Sequence, residues 1–496
     1  MDLKVRFHEL LKKEKAYEYA MQIIGWDSQT EAPRDCFPHR AEMMGILSGE
    51  LFRIASGKEM QETVYGLYDK KDALDDITSR EIRKAKKQLD KIVKIPENEY
   101  VEYMSLLQMA QRIWEDAKAN NDYESFKGTL GKIIEYTKKF VSYYGEGKHP
   151  YDVLLDDYED GMTMKDYDEF FNVLKQELVP FVRQILAAKD NHDYRFMEEK
   201  YDIDAQKKFS DYLMDVMCFN RNRGLLKQSV HPFTWGTSPE DVRLTTRYIE
   251  NMVFSNVFSV IHELGHATYE QQIDSKWNDT YLTGGTSMGI HESQSRFYEN
   301  IIGRSQEFWN THYPKMKSLF PEQLKNVDAE LAHRAVNRVE ASLIRVEADE
   351  LTYPLHIMLR YEIERMIMTG QTNVDELPAL WNDKMEEYLG IRPETDSEGV
   401  LQDVHWSSGM IGYFPTYALG SAYAAQFYNA MNKDFNVLEA VKNNDMGKIN
   451  AWLKEKIHQY GSSKDPKELL LSVTGEPFNP KYYINYLKDK YSKLYL

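Results

Sequence analysis

Residues 250–273 read ENMVFSNVFSVIHELGHATYEQQI. Val253, Val257, Val260, Ile261 and Leu264 recur here at three- and four-residue spacing, the period that lines one face of an α-helix with apolar side chains. The spacing predicts one long helix over this stretch. His262 and His266 stand four apart on it, so a single turn carries both imidazoles to the same face. Upstream, residues 231–248 (HPFTWGTSPEDVRLTTRY) break the helical period. A Pro/Gly/Ser turn leads there into alternating Val242, Leu244 and Thr246, which predicts a short strand. Downstream, a glycine-rich connection over residues 283–289 precedes a second helix beginning near His291, and helices dominate residues 321–370 and the chain after 420.

The first two hundred residues read as successive helices, with Phe7, Leu10, Leu11, Tyr17, Met21 and Ile24 setting the same spacing. Breaks fall at residues 25–38, 95–96 and 145–161, and none is long or low-complexity enough for a flexible linker. The expectation is therefore a mainly α protein forming a large single helical domain over residues 1–496, with a small β-element close to the paired histidines. Low Gly (26) and Pro (16) counts and a charged share of 28% agree with long amphipathic helices.

A net charge of −17 argues against a nucleic-acid partner, because phosphate binding is driven by clustered Lys and Arg. The most basic stretch, residues 80–94 (REIRKAKKQLDKIVK), spaces its apolar residues helically and reads as a solvated helix face. Only Cys36 and Cys218 are present, too few for a disulfide framework, so a cytoplasmic protein is expected. The N-terminus lacks a signal-peptide core, and no stretch reaches the ~18 uninterrupted apolar residues of a membrane span.

The segment His262-Glu263-Leu264-Gly265-His266 has the HExxH spacing, in which two imidazoles hold one metal and the intervening Glu reaches a water beside it. Roughly 0.03 such patterns would arise by chance in this composition. A catalytic zinc needs three protein ligands and one open position. Glu292, in His291-Glu292-Ser293-Gln294, is the first choice for the third ligand; Glu270 and Glu299 are its rivals. Replacing Glu292 by Ala is expected to lower metal occupancy sharply, whereas His291→Ala is not.

Around these residues the chain resembles the carboxypeptidase Taq family of zinc metallocarboxypeptidases. His231-Pro232-Phe233 is similar to its HPF motif; Asp241, Arg243 and Thr245 fit DxRxT; His291-Glu292-Ser293 matches its HES segment. Residues 344–349 (IRVEAD) fit IRxxAD, and Gly399, Gln402, Asp403, His405 and Trp406 fit GxxQDxHW. Trp26-Asp27, His149-Pro150-Tyr151 and residues 412–417 (GYFPTY) also resemble the family. The resemblance implies Glu292 as third ligand, a deep groove walled by residues 1–200 with the zinc site in 201–496, and a homodimer.

Each remaining candidate has a chemical role. Glu263 is the expected general base. Arg243, with Arg345 as second choice, would pair with the C-terminal carboxylate of a peptide, since guanidinium is a planar, permanently charged fork. His405 and Tyr413 would donate to a developing oxyanion, and His231 would contact the substrate backbone. The expected cofactor is one Zn²⁺ per chain, for which Co²⁺ can substitute. Two other readings stay open: an endo-acting oligopeptidase with the same chemistry, and a helical binding protein with a structural metal. An intact Glu263 counts against the latter, because a structural zinc needs no base.

Overall fold

Capping residues settle where the helices start. Asp2, Asp75, Asp122, Thr163, Asp202, Ser287 and Asp328 each accept a backbone N–H of the first turn that follows, and Thr163 with Asp166 forms a reciprocal capping box. In the computed structural model, which describes residues 2–496, the helix predicted over 250–273 runs Val253–Gln272 and the one predicted near His291 runs Met288–Arg296. The fold is mainly α from end to end.

The strand expected at Val242 exists, but it is the centre of a three-stranded sheet rather than an isolated element. β1 (Gly224–Gln228) pairs parallel to β3 (Asp241–Thr246), and β2 (Thr234–Ser238) pairs antiparallel on its other side. Val242 and Leu244 are buried, and β2 and β3 both pack against the helix Val253–Gln272. The sheet thus lies beside the metal-motif helix.

Other breaks fall differently from the reading. Gly25 does not interrupt the first helix, Leu3–Thr30, which turns only at Glu31. The loop expected over 145–161 contains a further helix, Pro150–Tyr158. Residues 337–352 are irregular apart from a short 3₁₀ turn, although helix was expected there.

Two apolar clusters hold the chain together. The larger extends from Ala117 to Tyr491 and includes the apolar face of the motif helix; the smaller joins Phe7, Leu10, Leu11, Met60, Val64, Leu67, Ile82, Ala85 and Leu89. The basic stretch joins this smaller cluster to the main body and is not merely a solvated face. From the helix Asp76–Val93, Lys87 reaches Asp156 and Asp160 (both 2.7 Å), Lys91 reaches Asp157 (2.7 Å) and Arg80 reaches Glu468 (2.6 Å). No helix among the described residues is long and apolar enough to cross a membrane.

Candidate metal centre

The helices Val253–Gln272 and Met288–Arg296 lie in close contact because Gly265 has no side chain. A Cβ there would stand 2.6 Å from the Gln294 carbonyl oxygen and 2.7 Å from Ser295 Cα. This approach brings Glu292 across to the two histidines. Donor atoms of His262, His266 and Glu292 all lie within 4.8 Å of one another, with Glu292 Oε2 at 3.7 Å from His262 Nε2 and 3.5 Å from His266 Nε2.

Both rivals of Glu292 sit one layer out, where each supports a histidine. Glu299 Oε2 is 2.9 Å from His262 Nδ1. It reaches that position because the second helix continues as a π-helical segment, Phe297–Gly303, a distortion that concentrates at functional sites. Glu270 Oε1 is 2.7 Å from His291 Nε2, and His291 Nδ1 is 2.6 Å from His266 Nδ1. His291 therefore stands between a candidate ligand and a carboxylate. Such partners fix the tautomer and orientation of ligating imidazoles.

Charge is balanced around this cluster. Arg296 Nε donates to Glu292 Oε1 at 2.6 Å and its Nη1 to Glu299 Oε2 at 3.3 Å; Arg304 Nη2 donates to Glu299 Oε1 at 3.1 Å. Burial alone would raise Glu292, but Arg296 and His262 outweigh it and hold the carboxyl well below its ordinary value. Burial pulls His266 down to about 3, which keeps the imidazole neutral. An ionised carboxylate and a neutral imidazole are the forms that bind metal.

Glu263 is buried, and burial raises its carboxyl above the usual range. Thr234, the first residue of β2, donates its hydroxyl to Glu263 Oε2 at 2.6 Å and also lies 3.1 Å from the Glu263 carbonyl oxygen. The sheet thus orients the candidate base. Thr234 was passed over in the sequence, although it directly follows His231-Pro232-Phe233.

A cavity of about 620 Å³ opens on these groups, lined by His262, Glu263, His266, Glu292, Thr234 and Tyr413 among others. Asp157, Tyr158 and Asp160 line it too. Tyr413 and Tyr417 are adjacent there, with ring centroids 5.1 Å apart. His405 lies behind them, Nε2 at 3.3 Å from the Tyr417 hydroxyl, and burial lowers it to about 4. Burial raises Tyr413, so its phenol stays protonated and can donate. Glu364 pins both ends of this segment, accepting from Trp406 Nε1 and the Gly412 N–H, each at 2.8 Å.

The two candidate arginines are placed very differently. Arg243 makes a bidentate pair with Asp241, both contacts at 2.8 Å, and its guanidinium stands 5.9 Å from the Trp26 ring. Arg345 is buried against Asp403, at 3.0 and 2.8 Å to the same oxygen, and Arg360 takes the other oxygen at 2.7 Å. Its guanidinium lies 5.2 Å from the ring of Tyr417, a cavity residue. Neither arginine lines the cavity directly. His231 is exposed, and only its neighbours Phe233 and Thr234 reach the cavity wall.

Comparison with known proteins gives the family. Residues 6–491 match the model of the family described as carboxypeptidase Taq (M32) metallopeptidase. The chain is 44% identical to carboxypeptidase 1 of Bacillus subtilis (strain 168) over 491 residues, covering 99% of this chain and 98% of that one. It is 38% identical to thermostable carboxypeptidase 1 of Pyrococcus furiosus, covering 96% of each. The crystal structure of the M32 carboxypeptidase from Deinococcus radiodurans R1 superposes with a TM-score of 0.95 at 31% identity, covering 100% of both chains. On fold, site and sequence together, this chain belongs to the carboxypeptidase Taq (M32) family of metallopeptidases and is a peptide hydrolase.

Proposed function

We propose that the protein is a zinc-dependent metallocarboxypeptidase that hydrolyses the last bond of a peptide and releases one amino acid at a time. His262, His266 and Glu292 hold the metal in this reading, and Glu263 is the general base. The observation that carries it is the convergence of three metal-binding donors within 4.8 Å, beside a buried carboxylate, on one cavity. The donor set fits zinc: two imidazoles and one carboxylate, with both imidazoles held from behind. Cobalt suits the same ligands.

When bound, the metal supplies Lewis acidity to the scissile carbonyl and to the attacking water. Glu263 takes the proton of that water and delivers one to the leaving amine; its raised affinity for protons makes it a stronger base than an ordinary glutamate. Tyr413 donates to the developing oxyanion, and His405 supports that face through Tyr417. Arg345, one layer behind the cavity residue Tyr417, supplies the positive charge that draws the terminal carboxylate of the substrate. Arg243 and His231, at the sheet end of the groove, contact the peptide further from the scissile bond.

The reading extends to a single domain over 1–496, which the large core from Ala117 to Tyr491 supports together with the ion pairs that tie the smaller N-terminal cluster to it. It extends also to a cytoplasmic location, which two unpaired cysteines suit, and to a homodimer, for which family resemblance is the support.

Chelation should abolish hydrolysis, and added zinc should restore it, with single amino acids as the first products by mass spectrometry. Internal fragments as first products would favour the oligopeptidase reading, and full activity after metal removal would end the metal mechanism. Metal content gives a separate check on the ligands. Glu292→Ala should purify with little zinc. His291→Ala should weaken zinc binding by about 10- to 100-fold, the usual cost of losing a partner behind a ligating histidine; parent-like affinity would leave His266 without need of that contact.

A further inference from the structure

Glu159 ties the wall of the cavity to the helix that carries Glu292. It is the C-cap of the helix Pro150–Tyr158 and is fully buried. Its Oε1 accepts from Ser287 Oγ at 2.9 Å, and its Oε2 accepts from the Gly289 N–H at 2.8 Å. Ser287 is the N-cap of Met288–Arg296, and its Oγ also accepts from the Ile290 N–H at 3.1 Å. The carboxylate therefore caps that helix from outside, at the end where its dipole is positive.

Two features separate this contact from ordinary packing. A Cβ at Gly289 would stand 2.7 Å from Glu159 Oε2, so glycine is what admits the carboxylate. The donors are the hydroxyls of Ser287 and Tyr423 and a backbone amide, not a cation, and burial raises Glu159 to about 7 despite them. An ionised carboxylate accepts at both oxygens, whereas an amide of the same shape offers one acceptor and turns its NH₂ toward the other donor. A buried acid is costly, and what it adds here is two simultaneous bonds to the start of one short helix.

We propose that Glu159 is a positioning residue for the metal centre. It fixes the start of Met288–Arg296, so that Glu292, three residues beyond Gly289, meets His262 and His266. The far end of the helix is held by Glu299, in the segment that continues it, on His262, and by the close approach at Gly265. With the capped end released, the helix turns or slides about that anchor and the carboxylate of Glu292 moves off the two imidazoles. This inference rests on the reading of Glu292 as a metal ligand.

The test is the Zn²⁺ dissociation constant of the full-length protein, measured by competition with a chelating dye for the parent, Glu159→Gln, Glu159→Asp, Gly289→Ala and Glu292→Ala. Circular dichroism and thermal unfolding of each metal-free protein accompany it. Glu159→Gln should bind zinc about 10-fold more weakly, with parent-like circular dichroism and, at saturating zinc, a parent-like KM. Glu159→Asp, which keeps the charge on a shorter arm, should recover part of the loss. A folded Glu159→Gln with parent-like zinc affinity, or one that loses only thermal stability, overturns the proposal. Should Glu159→Gln fail to fold, Gly289→Ala decides by the same criterion, since it displaces the carboxylate without removing it. Parent-like zinc affinity in Glu292→Ala overturns instead the ligand assignment beneath it.

Discussion

Glu263→Gln is expected to retain the parent's zinc content while kcat falls by about 10²- to 10⁴-fold, the range a positioned general base contributes. Retention follows from position: Glu263 is not among the three converging donors, and the amide matches the carboxylate in shape. The side chain should stay in place as well. Thr234 donates to one Glu263 oxygen, and the amide oxygen of glutamine accepts that bond equally. What is lost is the capacity to take a proton. Elemental analysis and steady-state kinetics on one free-acid peptide separate binding from chemistry, because loss confined to kcat marks an interaction made in the transition state. Near-parental turnover would remove Glu263 from the base role, and loss of zinc along with turnover would assign it to the metal instead.

Periodicity made the site's frame legible because the frame is local. The spacing of Val253 to Leu264 defines a helix whatever surrounds it, and HExxH then needs only one turn to form half a metal site. Alternation likewise found β3, the central strand of its sheet, where Val242 and Leu244 face the core. β1 (GLLKQ) and β2 (TWGTS) lack alternation, and the sheet becomes visible only once β3 has neighbours on both sides.

Gly25 reads as a helix breaker, but its hydrogen side chain lets the Trp235 ring approach, where a Cβ would lie 2.9 Å away. The basic stretch looked solvated because Asp156, Asp157 and Asp160 lie some seventy positions further along the chain. The place of His291 is hidden for a related reason. Nothing within its own helix shows that Nδ1 meets His266, a contact 25 residues apart that exists only because two helices touch at Gly265. Long-range packing, not propensity, is what the sequence withholds.

In the proposed reading, charge counting favours Arg345 over Arg243 and yields the second large effect. Arg243 already has a carboxylate of its own, held through two parallel bonds, so a substrate carboxylate would have to displace Asp241. Arg345 and Arg360 share the single carboxylate of Asp403, which leaves one positive charge in excess within a buried cluster. An excess buried charge is costly unless an anion joins it, and the terminal carboxylate of a peptide is such an anion. Arg360 is deeper, fully buried beneath the Trp381 ring, which leaves Arg345, facing Tyr417, as the group nearer the cavity. Arg345→Ala should therefore reduce kcat/KM for free-acid peptides by about 30- to 4,000-fold, equivalent to about 2 to 5 kcal/mol. Arg243→Ala should cost less. The fold should tolerate the Arg345 change, because Arg360 and Asp403 remain as a neutral pair. Matched free-acid and amidated peptides, assayed by mass spectrometry with both variants, isolate the charge: the amide lacks the anion, so Arg345→Ala should lose little more on it. Equal losses on acid and amide would make Arg345 a structural residue, and a larger acid-specific loss in Arg243→Ala would return the carboxylate to the sheet end of the groove.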